Sequence, residues 1–214
     1  MKIVFLGDSV TEGCFDLYAK NGSFDTYREP ENVYHARLLP MLEEKYGKGS
    51  IEIVNSGISG DNSAGGCKRL DTDVIAHHPD LTVVCYGLND ASRPLERYQE
   101  NLTEILSRIK ASGSRVIFMT PNMMNTYVSP DTLPEAAHIA ERTAQIQNNG
   151  TMDAFMDAAR AICRELDIPV RDAYQYWKEL AASGVDTTAR LANHINHPDA
   201  GMHTVFAQLL AAMI

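Results

Sequence analysis

Five short apolar runs set among long stretches of helical spacing constrain this chain more than any other feature. They are KIVFL (residues 2–6), IEIV (51–54), LTVVCY (81–86), RVIFM (115–119) and a weaker IPV (168–170). None alternates cleanly between apolar and polar positions, so each suits a strand covered on both faces. The intervening segments are long enough for crossover helices, which return each strand parallel to the one before.

The expected fold is therefore α/β: a three-layer α/β/α domain over residues 1–214, with a flavodoxin-like parallel sheet of about five strands in the order 2-1-3-4-5. Four helices can be placed. NVYHARLLPMLEEKY (32–46) keeps apolar helical spacing despite Pro40, and PLERYQENLTEILSRIKAS (94–112) is amphipathic with Pro in its first turn. TMDAFMDAARAICREL (151–166) opens on Thr151 as its cap. The last runs from about Pro198 to the end and would bury Val205, Phe206, Leu209, Leu210 and Met213. Two stretches fit no regular element: residues 14–31, with Phe15, Tyr18, Phe24 and Tyr27, and residues 120–133 (TPNMMNTYVSPDTL). Irregular segments in an economical chain border sites, which makes Tyr18, Tyr27, Met123, Met124 and Tyr127 candidate pocket residues.

Composition narrows the function. The net charge is −9 and no basic stripe interrupts it, which argues against nucleic acid or an anionic membrane and leaves a neutral small molecule as the expected partner. The first apolar run is too short for a signal core or a membrane span, so the expected location is cytoplasmic. Cys14, Cys67, Cys85 and Cys163 are scattered, without metal-site spacing or the density of a disulfide scaffold. The sequence says nothing of oligomeric state.

In an open parallel sheet, ligands bind beyond the carboxyl ends of the strands. Gly7-Asp8-Ser9 follows the first run, NSGISGDN (55–62) the second and GLND (87–90) the third, and the expected strand order makes these loops neighbours. Ser9 reads as a helix cap or as a nucleophile. A serine nucleophile needs a general base, and the anion formed on attack needs donors already aimed at it. Backbone N–H groups at Ser9 and Gly60 and the Asn89 amide are such donors. The base would come from NHINHPDAGMH (193–203): His197 lies on the loop itself, whereas His203 falls one turn into the last helix and packs or faces solvent. His77 and His78 fall at the opposite end of the sheet.

These stretches resemble the SGNH hydrolases, or GDSL esterases. FLGDSVTEG, NSGISGDNS, YGLNDAS and HPDAGMHTVFA stand in that family's order and spacing. The resemblance implies Ser9 as nucleophile, the Ser9 N–H, Gly60 and Asn89 as oxyanion hole, His197 as base, and hydrolysis of a small-molecule ester through an acyl-enzyme without metal or cofactor. It extends to short acyl groups, among them O-acetyl groups on carbohydrates. Asp8 would organise the turn.

One position departs from the pattern. The family has Asp three residues before the catalytic histidine, but His194 stands in that slot, and no carboxylate lies between Asp186 and His197. That Asp holds the imidazole tautomer and stabilises the imidazolium; blocking its role in a serine protease costs roughly 10⁴-fold in kcat. Three arrangements remain: a Ser-His dyad oriented by a backbone carbonyl or by Asn193 or His194, which is the favoured one; Asp186 folding in; or a weakly active or inactive member. Two rival readings are a flavodoxin-like module binding flavin phosphates and a zinc hydrolase using His194, His197 and His203.

Overall fold

The computed structural model describes residues 1–214. Its main sheet contains β1 (Lys2–Gly7), β4 (Glu52–Gly57), β5 (Leu81–Cys85), β6 (Arg115–Met119) and β7 (Val170–Arg171), all parallel, in the order β4-β1-β5-β6-β7. This is the expected 2-1-3-4-5. The central strands explain their unalternating sequences: residues 3–6 of β1 and all of β5 are buried, so both faces are apolar. The fifth strand begins two residues later than IPV suggested.

Helices α2 (Tyr34–Tyr46) and α8 (Ala200–Ala211) pack on each other, while α3 (Ser63–Asp73), α4 (Leu95–Ala111) and α6 (Thr151–Glu165) pack in series, with α5 (Ala137–Asn148) against α6. The sheet lies between, giving the three-layer α/β/α architecture. A seventh long helix, α7 (Ala173–Ala182), follows β7. α3, α5 and α7 lie outside the four helices expected from apolar spacing. No helix is long and apolar enough to cross a membrane.

Three local expectations are corrected. Residues 14–31 are not irregular: β2 (Cys14–Lys20) and β3 (Ser23–Arg28) pair antiparallel around Asn21-Gly22, both at positive φ (52° and 74°). Asn-Gly accepts left-handed backbone cheaply and closes a two-residue hairpin. Thr151 is the first residue of α6, and Gly150, at φ 84°, holds the cap position. In α8, Phe206 and Leu210 are buried as expected, but Met202, His203 and Ala207 share the core with them, and Val205, Leu209 and Met213 are only partly buried. Asp199 caps α8 by accepting from Met202 N at 2.8 Å, so the helix starts two residues after Pro198.

Residues 120–133 are irregular, and they support the loop before α8. Asn122 Nδ2 donates to Asn196 O at 2.8 Å, and Asn125 N donates to Ile195 O at 2.8 Å. A small apolar cluster apart from the main core joins Ala136, Ala140 and Ile195 to Leu17 and Phe24 of the hairpin.

Candidate active site

The Ser9 turn grows directly from β1. Its last residue must be Gly7, because a Cβ there would lie 2.1 Å from Thr11 Oγ1 and 2.9 Å from the Cys85 carbonyl oxygen. Asp8 is extended, and its Oδ1 accepts from Val10 N at 3.0 Å, capping the one-turn helix α1 (Ser9–Glu12). Asp8 is thus the cap, which leaves the Ser9 hydroxyl free of that task. Ser9 is 4% exposed. Burial pushes the Asp8 carboxyl up to about 7, and the charges of Asp90 and Asp61 push the same way. Its Oδ2 is buried without a partner.

His197 is held from two sides. Its Nε2 lies 3.0 Å from Ser9 Oγ, and its Nδ1 lies 2.8 Å from the Phe15 carbonyl oxygen. A carbonyl only accepts, so Nδ1 must carry the proton and Nε2 turns its lone pair to the Ser9 hydroxyl. That is the tautomer a general base needs. Burial lowers the His197 pKa to about 4, against a weaker upward pull from the bond to Phe15.

The expected orienting residues behave differently. Asn193 makes no hydrogen bond to the ring. Its Oδ1 accepts from the backbone N of Ile195 (3.0 Å), Asn196 (2.9 Å) and His197 (2.9 Å), which locks the loop carrying His197. His194 adopts φ 55°, and its Nδ1 is buried without a partner; it makes no bond to His197. Asp186 is engaged by the Tyr127 hydroxyl at 2.6 Å, so it does not fold in as a distant acid. His203 is fully buried in the core, where its Nδ1 accepts from Tyr34 N at 3.2 Å and its ring lies 4.6 Å from Phe15. His194, His197 and His203 form no cluster able to hold a metal ion. His77 and His78 lie just before β5, away from the site as expected.

On the far side of Ser9, Gly60 sits at φ +76°, a left-handed conformation that glycine adopts without strain, and its N–H bonds to nothing within the chain. Asn89 uses one amide hydrogen on the Asp61 carbonyl oxygen at 2.7 Å and keeps the other. As the first residue of α1, Ser9 has its N–H outside the helical ladder. A cleft of about 230 Å³ opens over Ser9, Gly60, Asn89 and His197.

None of the five candidate pocket residues lines that cleft. Tyr18 and Tyr27 pack on each other at 4.6 Å, with Tyr27 exposed, and Met123 and Met124 are in the core. Tyr127 is spent on Asp186. The walls come instead from Leu17, Phe24 and Thr26 of the hairpin, Ser59, Ile139 and Ile195. Each is an ordinary residue by itself, brought to the cleft by tertiary packing.

Residues 5–205 match the GDSL-like lipase/acylhydrolase family. The chain belongs to that family. An arylesterase from Vibrio mimicus is 32% identical over 120 residues, which is 55% of this chain and 53% of the relative. An acetylxylan esterase from Geobacillus stearothermophilus is 30% identical over 132 residues, 56% of this chain and 59% of the relative. The match thus spans little more than half of these curated relatives. A crystal structure of an acetylxylan esterase from Geobacillus stearothermophilus superposes with a TM-score of 0.72 at 24% identity, covering 98% of this chain and 91% of that one. At that identity the likeness concerns the fold, and it agrees with the family's three-layer architecture.

Proposed function

We propose that this chain is a serine esterase that transfers a short acyl group from an ester to water, with O-acetylated carbohydrate as the leading substrate class. The observation that carries the reading is the bonded series from the Ser9 hydroxyl to His197 Nε2 at 3.0 Å and from His197 Nδ1 to the Phe15 carbonyl at 2.8 Å. In the first half-reaction His197 takes the Ser9 proton as Oγ bonds to the ester carbonyl carbon. The new oxyanion is received by the Ser9 and Gly60 N–H groups and the free Asn89 amide hydrogen. His197 returns the proton to the departing alcohol, and a water repeats the sequence to release the acid.

Phe15 supplies orientation but no negative charge. The imidazolium formed in the transition state is therefore supported less than beside a carboxylate, which fits a slower enzyme than an Asp-containing triad. The small cleft and its mixed apolar and polar walls suit an acetyl-sized group. The acetylxylan esterase among the relatives supports the carbohydrate alternative over a long-chain lipid.

The test is p-nitrophenyl acetate hydrolysis by Ser9→Ala, with a fluorophosphonate adduct mapped by mass spectrometry. Loss of turnover in a folded variant and a label on Ser9 are expected. Full turnover without Ser9 would end the proposal. A screen of acetylated xylo-oligosaccharides, with acetate release as readout, then decides the substrate class.

A further inference from the structure

Arg69, on α3, takes no part in the chemistry described above, yet each of its five N–H donors has an acceptor. Nε donates to Asp61 Oδ2 at 2.8 Å; Nη1 donates to the Ser56 carbonyl at 2.7 Å and Asp73 Oδ2 at 3.1 Å; Nη2 donates to the Gly7 carbonyl at 3.0 Å and the Tyr86 hydroxyl at 2.8 Å. Gly7 ends β1, Ser56 lies at the end of β4, and Tyr86 directly follows β5. A single planar cation thus ties together the carboxyl ends of the three adjacent strands behind which Ser9, Gly60 and Asn89 stand. The Arg69 side chain is only 13% exposed.

The geometry continues from Arg69 to the candidate oxyanion donors. Asp61 follows Gly60 directly, and its carboxylate is fixed by Arg69 and by the Tyr86 hydroxyl at 2.8 Å. The backbone oxygen of the same residue accepts the Asn89 amide. Moving Asp61 would move Gly60 N–H through one peptide link and Asn89 Nδ2 through one hydrogen bond. The first turn of α3 leaves room for this: a Cβ on Gly65 would lie 1.7 Å from Asp61 Oδ1, and one on Gly66 would lie 2.7 Å from the Tyr86 ring.

We propose that Arg69, acting through Asp61, is a positioning residue that holds the Gly60 and Asn89 donors at the spacing a tetrahedral oxyanion requires. The proposal rests on the serine-esterase reading of the site. Donors aimed where charge develops act on the transition state more than on the ground state, so a loosened clamp lowers kcat and leaves KM nearly unchanged. Lysine cannot substitute, because an ammonium offers three donors from one point and no planar fork.

The experiment compares Arg69→Lys, Asp61→Asn and Ser9→Ala with the parent protein. Each is checked for fold by circular dichroism and thermal melting, assayed for p-nitrophenyl acetate hydrolysis, and titrated with ethylboronic acid, which bonds to a serine Oγ as a tetrahedral anion. The expected result for both clamp variants is a fall in kcat of about tenfold or more, KM within about twofold, and a boronate inhibition constant that rises by the same factor as kcat/KM falls. A folded Arg69→Lys or Asp61→Asn with the parent's kcat overturns the proposal. So does a lower kcat with unchanged boronate affinity, since that describes a damaged scaffold and not displaced donors. Should Arg69→Lys fail to fold, Asp61→Asn decides alone. Undiminished turnover in Ser9→Ala instead removes the site reading itself, so the two failures are distinguishable.

Discussion

The turn carrying Ser9 and the hairpin facing His197 reach the same cleft by opposite means. The Ser9 turn is short, continuous with a central strand, and built from residues whose identities matter: Gly7 for clearance, Asp8 for the cap, and Arg69 beneath it. The hairpin, from Cys14 to Arg28, stands outside the main sheet, and its known contribution to the base is one backbone carbonyl at Phe15. Side-chain chemistry therefore shapes the Ser9 turn, whereas the conformation of a peripheral strand orients the His197 ring. The first arm should tolerate few substitutions at named positions; the second acts on His197 through its backbone, so its side chains matter to that contact only as they keep the strand in place.

The largest effect expected belongs to the shared contact. Ser9→Ala and His197→Ala should each lower kcat by about 10³-fold or more, with little additional loss in the double variant, because residues acting as one unit are not additive. Single-turnover kinetics on all three proteins checks this, and additive losses would separate the two arms. On the hairpin side, Phe15→Ala removes a buried ring packed 4.6 Å from His203, and should cost about 3–5 kcal/mol of stability together with a fall in kcat of at least about tenfold. Tyr18→Ala, on the same strand but with its ring packed on Tyr27, should keep kcat within about twofold. Equal losses in both variants would mean that the hairpin acts as a whole and not through Phe15.

This contrast also explains what could be read from the sequence. The strand order was legible because a buried parallel sheet imposes apolar runs, and the meeting of Ser9, Gly60, Asn89 and His197 at one cleft was legible from loops at strand ends together with the family's four motifs. A carbonyl is present on every residue, so Phe15 could not be singled out; only the missing carboxylate near His197 pointed to some neutral partner. The hairpin did carry a signal in Asn21-Gly22, but its flanks alternate too weakly to read as strands without it. The irregular segment makes Met123 and Met124 candidate pocket residues on sequence, yet they lie in the core, because apolar side chains on a loop beneath a site have an interior to fill. His194 occupies the family's acid position but makes no bond to His197, and Asn193 secures the loop through main-chain bonds that residue type alone does not announce.

Buried groups around the cleft also oppose each other in pH. His35, His197 and His203 are buried neutral, with pKa values lowered by desolvation to about 4, 4 and 3, so on unfolding each takes up a proton below about pH 6.5. Their stabilisation is present at neutral pH and is lost as pH falls through that window. Asp8 has the reverse sign: its raised value of about 7 means that it stabilises the fold at low pH, a contribution lost as pH rises from about 4 to 7. Three groups against one leave the unfolded chain about two protons richer near pH 5, a slope of about 3 kcal/mol per pH unit. Urea midpoints should therefore fall from pH 7 to pH 5, and Asp8→Asn should steepen the fall. The kcat/KM profile should stay level down to about pH 5 and then decline as the His197 lone pair is protonated.

Smaller effects probe the loop that joins the arms. Asn193→Ala frees three backbone N–H groups and should cost about 1–2 kcal/mol in chemical denaturation, the scale of losing a helix cap, with a several-fold fall in kcat. An effect smaller than that of Asn193→Ala is expected from restoring the family's usual residue, His194→Asp. Aspartate tolerates the φ of 55° found there, so the loop should fold. His197 Nδ1 is already committed to Phe15 at 2.8 Å, however, and a carboxylate can gain that proton only by displacing the hairpin carbonyl. With the hairpin intact, kcat should change by less than about threefold, within the reach of long-range charge alone. In the Phe15→Ala background, where the carbonyl is no longer held, the same substitution should raise kcat measurably; a large gain in the parent protein would instead show that the strand yields its place to a charged partner without resistance.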